Sequence, residues 1–293
     1  MTENSFSQEF LPYNDNLIKV IDKTIQKGRD ENKDTLYFLR GYYIFVNFLV
    51  DEKNVFNDMP DGFKVLLSKA SLDLFAIYNT ISSGCMSQSL TLVRSLFESS
   101  VYLTYINRDF EKLLEFYQNY KDFLAYHKWN QEKELFDLPK ETEEEIVQKY
   151  ESIKNNYSKR GPWYERPLLK DMEEHIAFNH MKKKRATFRA MCVITGNEEF
   201  YNRLYSTMSE SVHGSSLIGS LFINEKDNIS MAPNFSPFYI DTTAAFAILF
   251  LHNMVSIGLN NQIEKGHSEY LSYLRYSVAY ADQLIDKGIK YKY

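Results

Sequence analysis

Breakers are scarce in this chain, and their scarcity decides most of what it can become. Only 11 Gly and 7 Pro occur among 293 residues, against 22 Tyr and 21 Phe, so a regular backbone has few points at which it must stop. Long helices follow. Hydrophobic residues make up 44% and charged residues 25%, the balance of a folded protein with a sizeable interior. The expected fold class is all-α, a multi-helix bundle of roughly ten helices around one core. Residues 1–293 are expected to form a single helical domain. The best internal boundary is the loop 158–167, where Gly161, Pro162 and Pro167 cluster.

Along the chain, Leu17, Ile18, Ile21 and Ile25 share one helical face, and that first helix is expected to end at Gly28. Leu36 to Val50 is aromatic on nearly every face, the pattern of a helix covered on all sides. Phe63 to Thr80 and Gln88 to Ile106 are expected to form an antiparallel hairpin broken at Gly84. Asp109 to Lys133 continues as helix, and Glu141 to Tyr157 is a polar outer helix whose acidic first turn suits its dipole. Trp163 marks the following loop as docked. Helices are expected near Leu168 to Phe178, Lys184 to Ile194 and Glu198 to Val212, then an irregular stretch, then closing helices from Asp241 to Leu259 and Ser268 to Lys287.

A net charge of −5 and a pI near 5.8 provide no global positive field for nucleic acid or anionic lipid, although a local patch can still serve. Cys85 and Cys192 are too few for a disulfide framework or a four-ligand zinc site, and a reducing cytoplasm is the expected location. MTENSFSQEF lacks the basic start and apolar run of a signal peptide. The most apolar stretches contain Arg40, Asn47, His252 and Asn253, so neither is expected to span a bilayer.

Chemistry concentrates in two segments. In Gln88 to Ile106, Arg94 and Glu98 are the only charges, four residues apart and therefore on one face. An unpaired buried charge costs several kcal/mol, so both are expected to be buried and paired. Such a pair either fixes helix register or serves a site. In Glu199 to Ser216, Tyr201, Tyr205, Ser209 and His213 recur every four residues, and Gly214 then ends the helix. The helix dipole favours protonated His213, and the row of hydroxyls can position a ligand, a water or a phosphate oxygen. The bland alternative is a histidine that bonds a neighbouring carbonyl.

Together the motifs R-S-L-x-E at Arg94 to Glu98 and S-x-x-V-H-G at Ser209 to Gly214 resemble an uncharacterised bacterial family of helical proteins, over roughly Ala70 to Ser220. The resemblance implies that Arg94, Glu98, Ser209 and His213 meet in one polar site, and it implies no activity. The chain is also similar, more weakly, to the helical HEPN class of ribonucleases and nucleotide binders of toxin and phage-defence systems. That class places Arg and His on one helix, whereas here no Arg is followed by a His at the class's spacing. An Arg and a His from different helices can still supply an electrophile and a general base for attack on a phosphodiester.

Glu210-x-x-His213 and Glu264-x-x-His267 match the spacing of carboxylate di-iron bundles, but Gly266 interrupts the second and other ligands are wanting, so no metal or cofactor is expected. Lys182 to Arg189, KKKRATFR, is the one dense basic run, either a phosphate contact or a solvated helix face. No Gly-rich phosphate loop, nucleophile elbow or Cys-x-x-Cys motif occurs. The expected site has Arg94, Glu98 and His213 as catalytic groups, with Tyr201, Tyr205, Ser209 and Glu210 facing the ligand. Its functions are an effector acting on RNA or a nucleotide, a non-enzymatic interaction or sensor module, or a metal-binding bundle. The abundant aromatics point to a homodimer.

Overall fold

A computed structural model describes residues 18–52, 55–135, 138–181, 183–205, 221–223, 229–231, 237–262 and 269–290. The chain is all-α and multi-helical. Its helices are α1 (18–31), α2 (Lys33–Asn47), α3 (Asp61–Ser82), α4 (Met86–Ile106), α5 (Phe110–Glu132), α6 (Lys140–Ile153), α7 (Glu165–Glu174), α8 (Phe188–Ile194), α9 (Glu198–Phe200), α10 (Pro237–Asn260) and α11 (Glu269–Lys290). A short antiparallel hairpin pairs β1 (Leu221–Ile223) with β2 (Ile229–Met231), Phe222 opposite Ser230. Two compact units divide the chain: one is Met1–Asn57, Leu67–Ser100 and Leu204–Tyr293, the other Asp58–Leu66 and Val101–Arg203. The loop 158–167 lies inside the second unit, so its Gly and Pro cluster turns the chain within that unit.

In the first unit α10 is buried along most of its length, through Ala244, Ala247, Ile248, Leu251, Met254 and Val255. By length and composition Tyr239–Asn260 could cross a membrane, yet 67% of its most apolar window is buried inside the protein, as in a core helix. Helix α11 packs along α10, and α2 meets α11 through rings, Phe38 on Tyr280 at 4.0 Å and Phe45 on Tyr273 at 4.2 Å. Thr35 Oγ1 donates to Asp241 Oδ1 at 2.7 Å and ties α2 to α10.

Helix α2 departs from its expected burial on all sides. Leu36, Leu39, Tyr42 and Val46 are buried, but Tyr37 is 81% exposed and Ile44 55%. Its aromatics pair with α11 on one face, and a tyrosine hydroxyl lets a ring face water on another. Gly28 does not end α1 either. Helical residues continue to 31, and the chain breaks at Asn32, whose Nδ2 donates to Gly28 O at 2.8 Å.

Left-handed glycines close two helices instead, Gly84 at φ 74° and Gly196 at φ 73°. After α3, Cys85 N–H donates to Thr80 O (2.8 Å) and Gly84 N–H to Ile81 O (3.0 Å). After α8, Asn197 N–H donates to Cys192 O (2.7 Å) and Gly196 N–H to Val193 O (3.2 Å). Both pairs satisfy carbonyls that a helix end would otherwise orphan.

In the second unit α5 and α6 pack through Phe123, Ile153 and Tyr157, with Tyr126 stacked on Tyr150 at 3.7 Å. The outer face of α6 is exposed, as its charge pattern requires. Trp163 is 4% exposed and meets Tyr117 edge-on at 5.2 Å, which docks its loop. Residues 183–187 of the basic run are not helical as expected: α8 begins only at Phe188, because Thr187 Oγ1 accepts from Ala190 N–H (3.1 Å) and caps the helix there. Of the helix expected from Glu198 to Val212, only residues 198–205 lie among the described residues. The three-residue α9 gives way to a π-helical turn, Tyr201–Tyr205.

A Cβ on Gly196 would meet nothing within 4 Å, so replacement tests the backbone alone. Gly196→Ala is expected to lower stability by about 1–2 kcal/mol in urea unfolding. Gly196→Asn should lose less, since Asn tolerates the left-handed region.

Candidate functional site

The polar stripe of α4 is positioned by the apolar residues beside it. Val93, Leu96 and Phe97 are buried, and Phe97 packs on Phe250 of α10 at 5.0 Å. Ser100 Oγ accepts from Asn253 Nδ2 at 3.0 Å, a second tie between α4 and α10. With one face anchored, helical spacing turns Arg94 and Glu98 outward together.

They pair as expected, Arg94 Nε to Glu98 Oε1 at 3.0 Å. Their burial does not follow the expectation: 21% of the Arg94 side chain and 30% of the Glu98 side chain remain accessible. An apolar helix can present its few charges at a margin of the core, where the desolvation cost is smaller.

Tyr205 completes the cluster. Its hydroxyl donates to Glu98 Oε1 (3.0 Å) and accepts from Arg94 Nη2 (2.5 Å), while the guanidinium carbon lies 4.4 Å from its ring centroid. Burial, then the Glu98 carboxylate, push the phenol up to about 12. Burial alone would weaken proton binding at Arg94, but the hydrogen bond to Glu98 and the neighbouring Tyr205 outweigh it and hold its affinity above the ordinary value.

Tyr201 packs on Phe188 at 6.1 Å. Ser209, Glu210 and His213 lie outside the described residues, as do both Glu-x-x-His pairs. Among the described residues no three His, Cys, Asp or Glu side chains are grouped to hold a metal ion.

Sequence reasoning missed two further polar groups. Lys69 Nζ donates to Asp73 Oδ2 (3.0 Å), Ser95 Oγ (2.6 Å) and Ser99 Oγ (3.2 Å), linking α3 to α4. The four-residue spacings of Lys69 with Asp73 and of Ser95 with Ser99 were visible, but not that they face each other. In the second unit, Asp171 Oδ2 accepts from Tyr105 Oη (2.6 Å) and Arg108 (3.0 Å) beside a cavity of about 420 Å³. The basic run is partly engaged, with Lys184 Nζ on Met172 O (2.9 Å) and Arg189 on Glu198 (3.5 Å).

Fold and site thus define an all-α protein with a solvent-reaching Arg-Glu-Tyr cluster on a core-anchored helix. The chain belongs to DUF5677, a family of unknown function that matches residues 64–230, a span that holds Arg94, Glu98, Tyr205 and His213. The expected membership of an uncharacterised helical family is borne out. No curated protein and no solved structure matches the chain.

The raised Tyr205 phenol gives a pH test. Between the ordinary tyrosine value and about 12 the unfolded chain loses this proton and the folded chain keeps it, so stability falls as pH rises through that window. Tyr205→Phe is expected to cost about 1 kcal/mol at neutral pH and to show a shallower loss above pH 10 in urea titrations, the difference from wild type isolating this tyrosine.

Proposed function

We propose that the chain is an effector that acts on RNA or a nucleotide, with Arg94 meeting phosphate charge. One observation carries the reading: a guanidinium held by Glu98 and Tyr205 while a fifth of its side chain still reaches solvent. Arginine suits this task because its planar donors match phosphate oxygens in pairs. In this reading Glu98 fixes the guanidinium and His213 is the general base, with Tyr205, Ser209 and Glu210 near the ligand. On RNA, His213 takes the 2′-hydroxyl proton as the 2′-oxygen bonds to phosphorus. The bond to the 5′-oxygen breaks, and that oxygen takes a proton from water. A setting in phage defence or a toxin system rests on the weaker resemblance to the HEPN class, whose Arg–His spacing this chain lacks.

The closed ring of Arg94, Glu98 and Tyr205 favours a second reading, a non-enzymatic interaction or sensor module in which the cluster is structural. Growth on induced expression and cleavage of labelled RNA separate the two. The first reading expects arrest by wild type, none by His213→Ala at an unchanged melting temperature, and a weak effect from Arg94→Lys, which keeps charge without the fork. Undiminished arrest by His213→Ala eliminates it. Loss of about 1.5–3 kcal/mol in Arg94→Ala with no loss of activity moves the cluster to the structural reading.

A further inference from the structure

The groove between the α1–α2 stripe and the C-terminal end of α3 is, we propose, a docking site for single-stranded RNA. Arg29, Lys33, Tyr37 and Arg40 succeed one another at three or four residues, so one stripe runs across the break at Asn32. From α3, Tyr78, Asn79 and Ser82 face this stripe, and the two sides enclose a cavity of about 380 Å³.

Cations outnumber carboxylates in its lining, Arg29, Lys33 and Arg40 against Asp30. Arg29 Nε donates to Ser82 O at 2.8 Å, which fixes its guanidinium at the groove's end. Among the described residues no carboxylate lies within ion-pair distance of Arg29, Lys33 or Arg40. Asp30, the one carboxylate of the lining, accepts from Gln26 at 3.0 Å instead. Three cations left together on a chain of net charge −5 are a local exception to its field.

Between those cations Tyr37 stands 81% exposed. A cation, an aromatic ring and a second cation in succession match the needs of a single strand, which presents phosphates at intervals and unpaired bases that stack on a flat ring. One helical turn, about 5.4 Å, sets the interval along α2. A duplex offers no free base face to Tyr37, and a small anion would leave that ring unused.

The test is fluorescence anisotropy of the full chain with labelled oligouridine of about 15 nucleotides over a salt series. Lys33→Glu with Arg40→Glu should weaken binding at least roughly tenfold and lower the salt slope by about 1.4, near 0.7 for each lost phosphate contact. Tyr37→Ala should weaken binding roughly 5- to 100-fold, and Tyr37→Trp should retain it. These side chains are exposed, so melting temperatures should not move. The proposal falls if wild type does not bind at low salt, if the charge reversals bind as wild type does, or if they alter only self-association. Binding is measured apart from growth arrest. A chain that binds through this groove yet is harmless refutes the Arg94 reading alone, and a toxic chain that binds no RNA refutes the groove alone.

Discussion

Helix α10 carries one charged residue, Asp241, along 24 residues, and a cylinder so apolar must be covered. That need organises the first unit. Each large side chain it buries contributes roughly 1.5–3 kcal/mol, which is why α11 lies along it and Phe97 of α4 reaches Phe250. The polar ties come second: Thr35 meets Asp241, whose carboxyl burial pushes above the usual range, and Asn253 meets Ser100. They select an arrangement among those that would bury the same area.

Anchoring α4 from one side leaves its charges at a margin rather than in the interior. Arg94 there is neither loose nor sealed. Glu98 and Tyr205 fix its orientation, and the phenol serves both ions at once because it gives one hydrogen bond and takes another. Such preorganisation lowers the ordering cost of meeting an anion. The same three bonds make the cluster a stable pin on α4.

Local rules carried the parts of this structure that are local. The ends of α3 and α4, the glycine at 84 and the Arg94–Glu98 pair all follow from spacing within a few residues. What failed depends on distant partners or on competing caps. Nothing near Tyr205 distinguishes it from Tyr201, yet one bonds Arg94 and the other packs on Phe188. The aromatic density of α2 was legible, but which face α11 would take was not, so Tyr37 looked buried. Thr187 outcompeted the basic run for the start of α8, and Asn32 outcompeted Gly28 for the end of α1. Of the expected catalytic groups, His213 lies outside the described residues.

Tyr205 closes a turn whose backbone bonds skip five residues instead of four. Such a turn holds one residue more than an α-turn. An insertion or deletion of a single codon within 201–205 would therefore change the phase of this turn and put a different side chain in the place of Tyr205, leaving α4 untouched. Relatives can diverge in what they present to Arg94 by changing length rather than composition, and an alignment that slides one gap across this turn would disguise it.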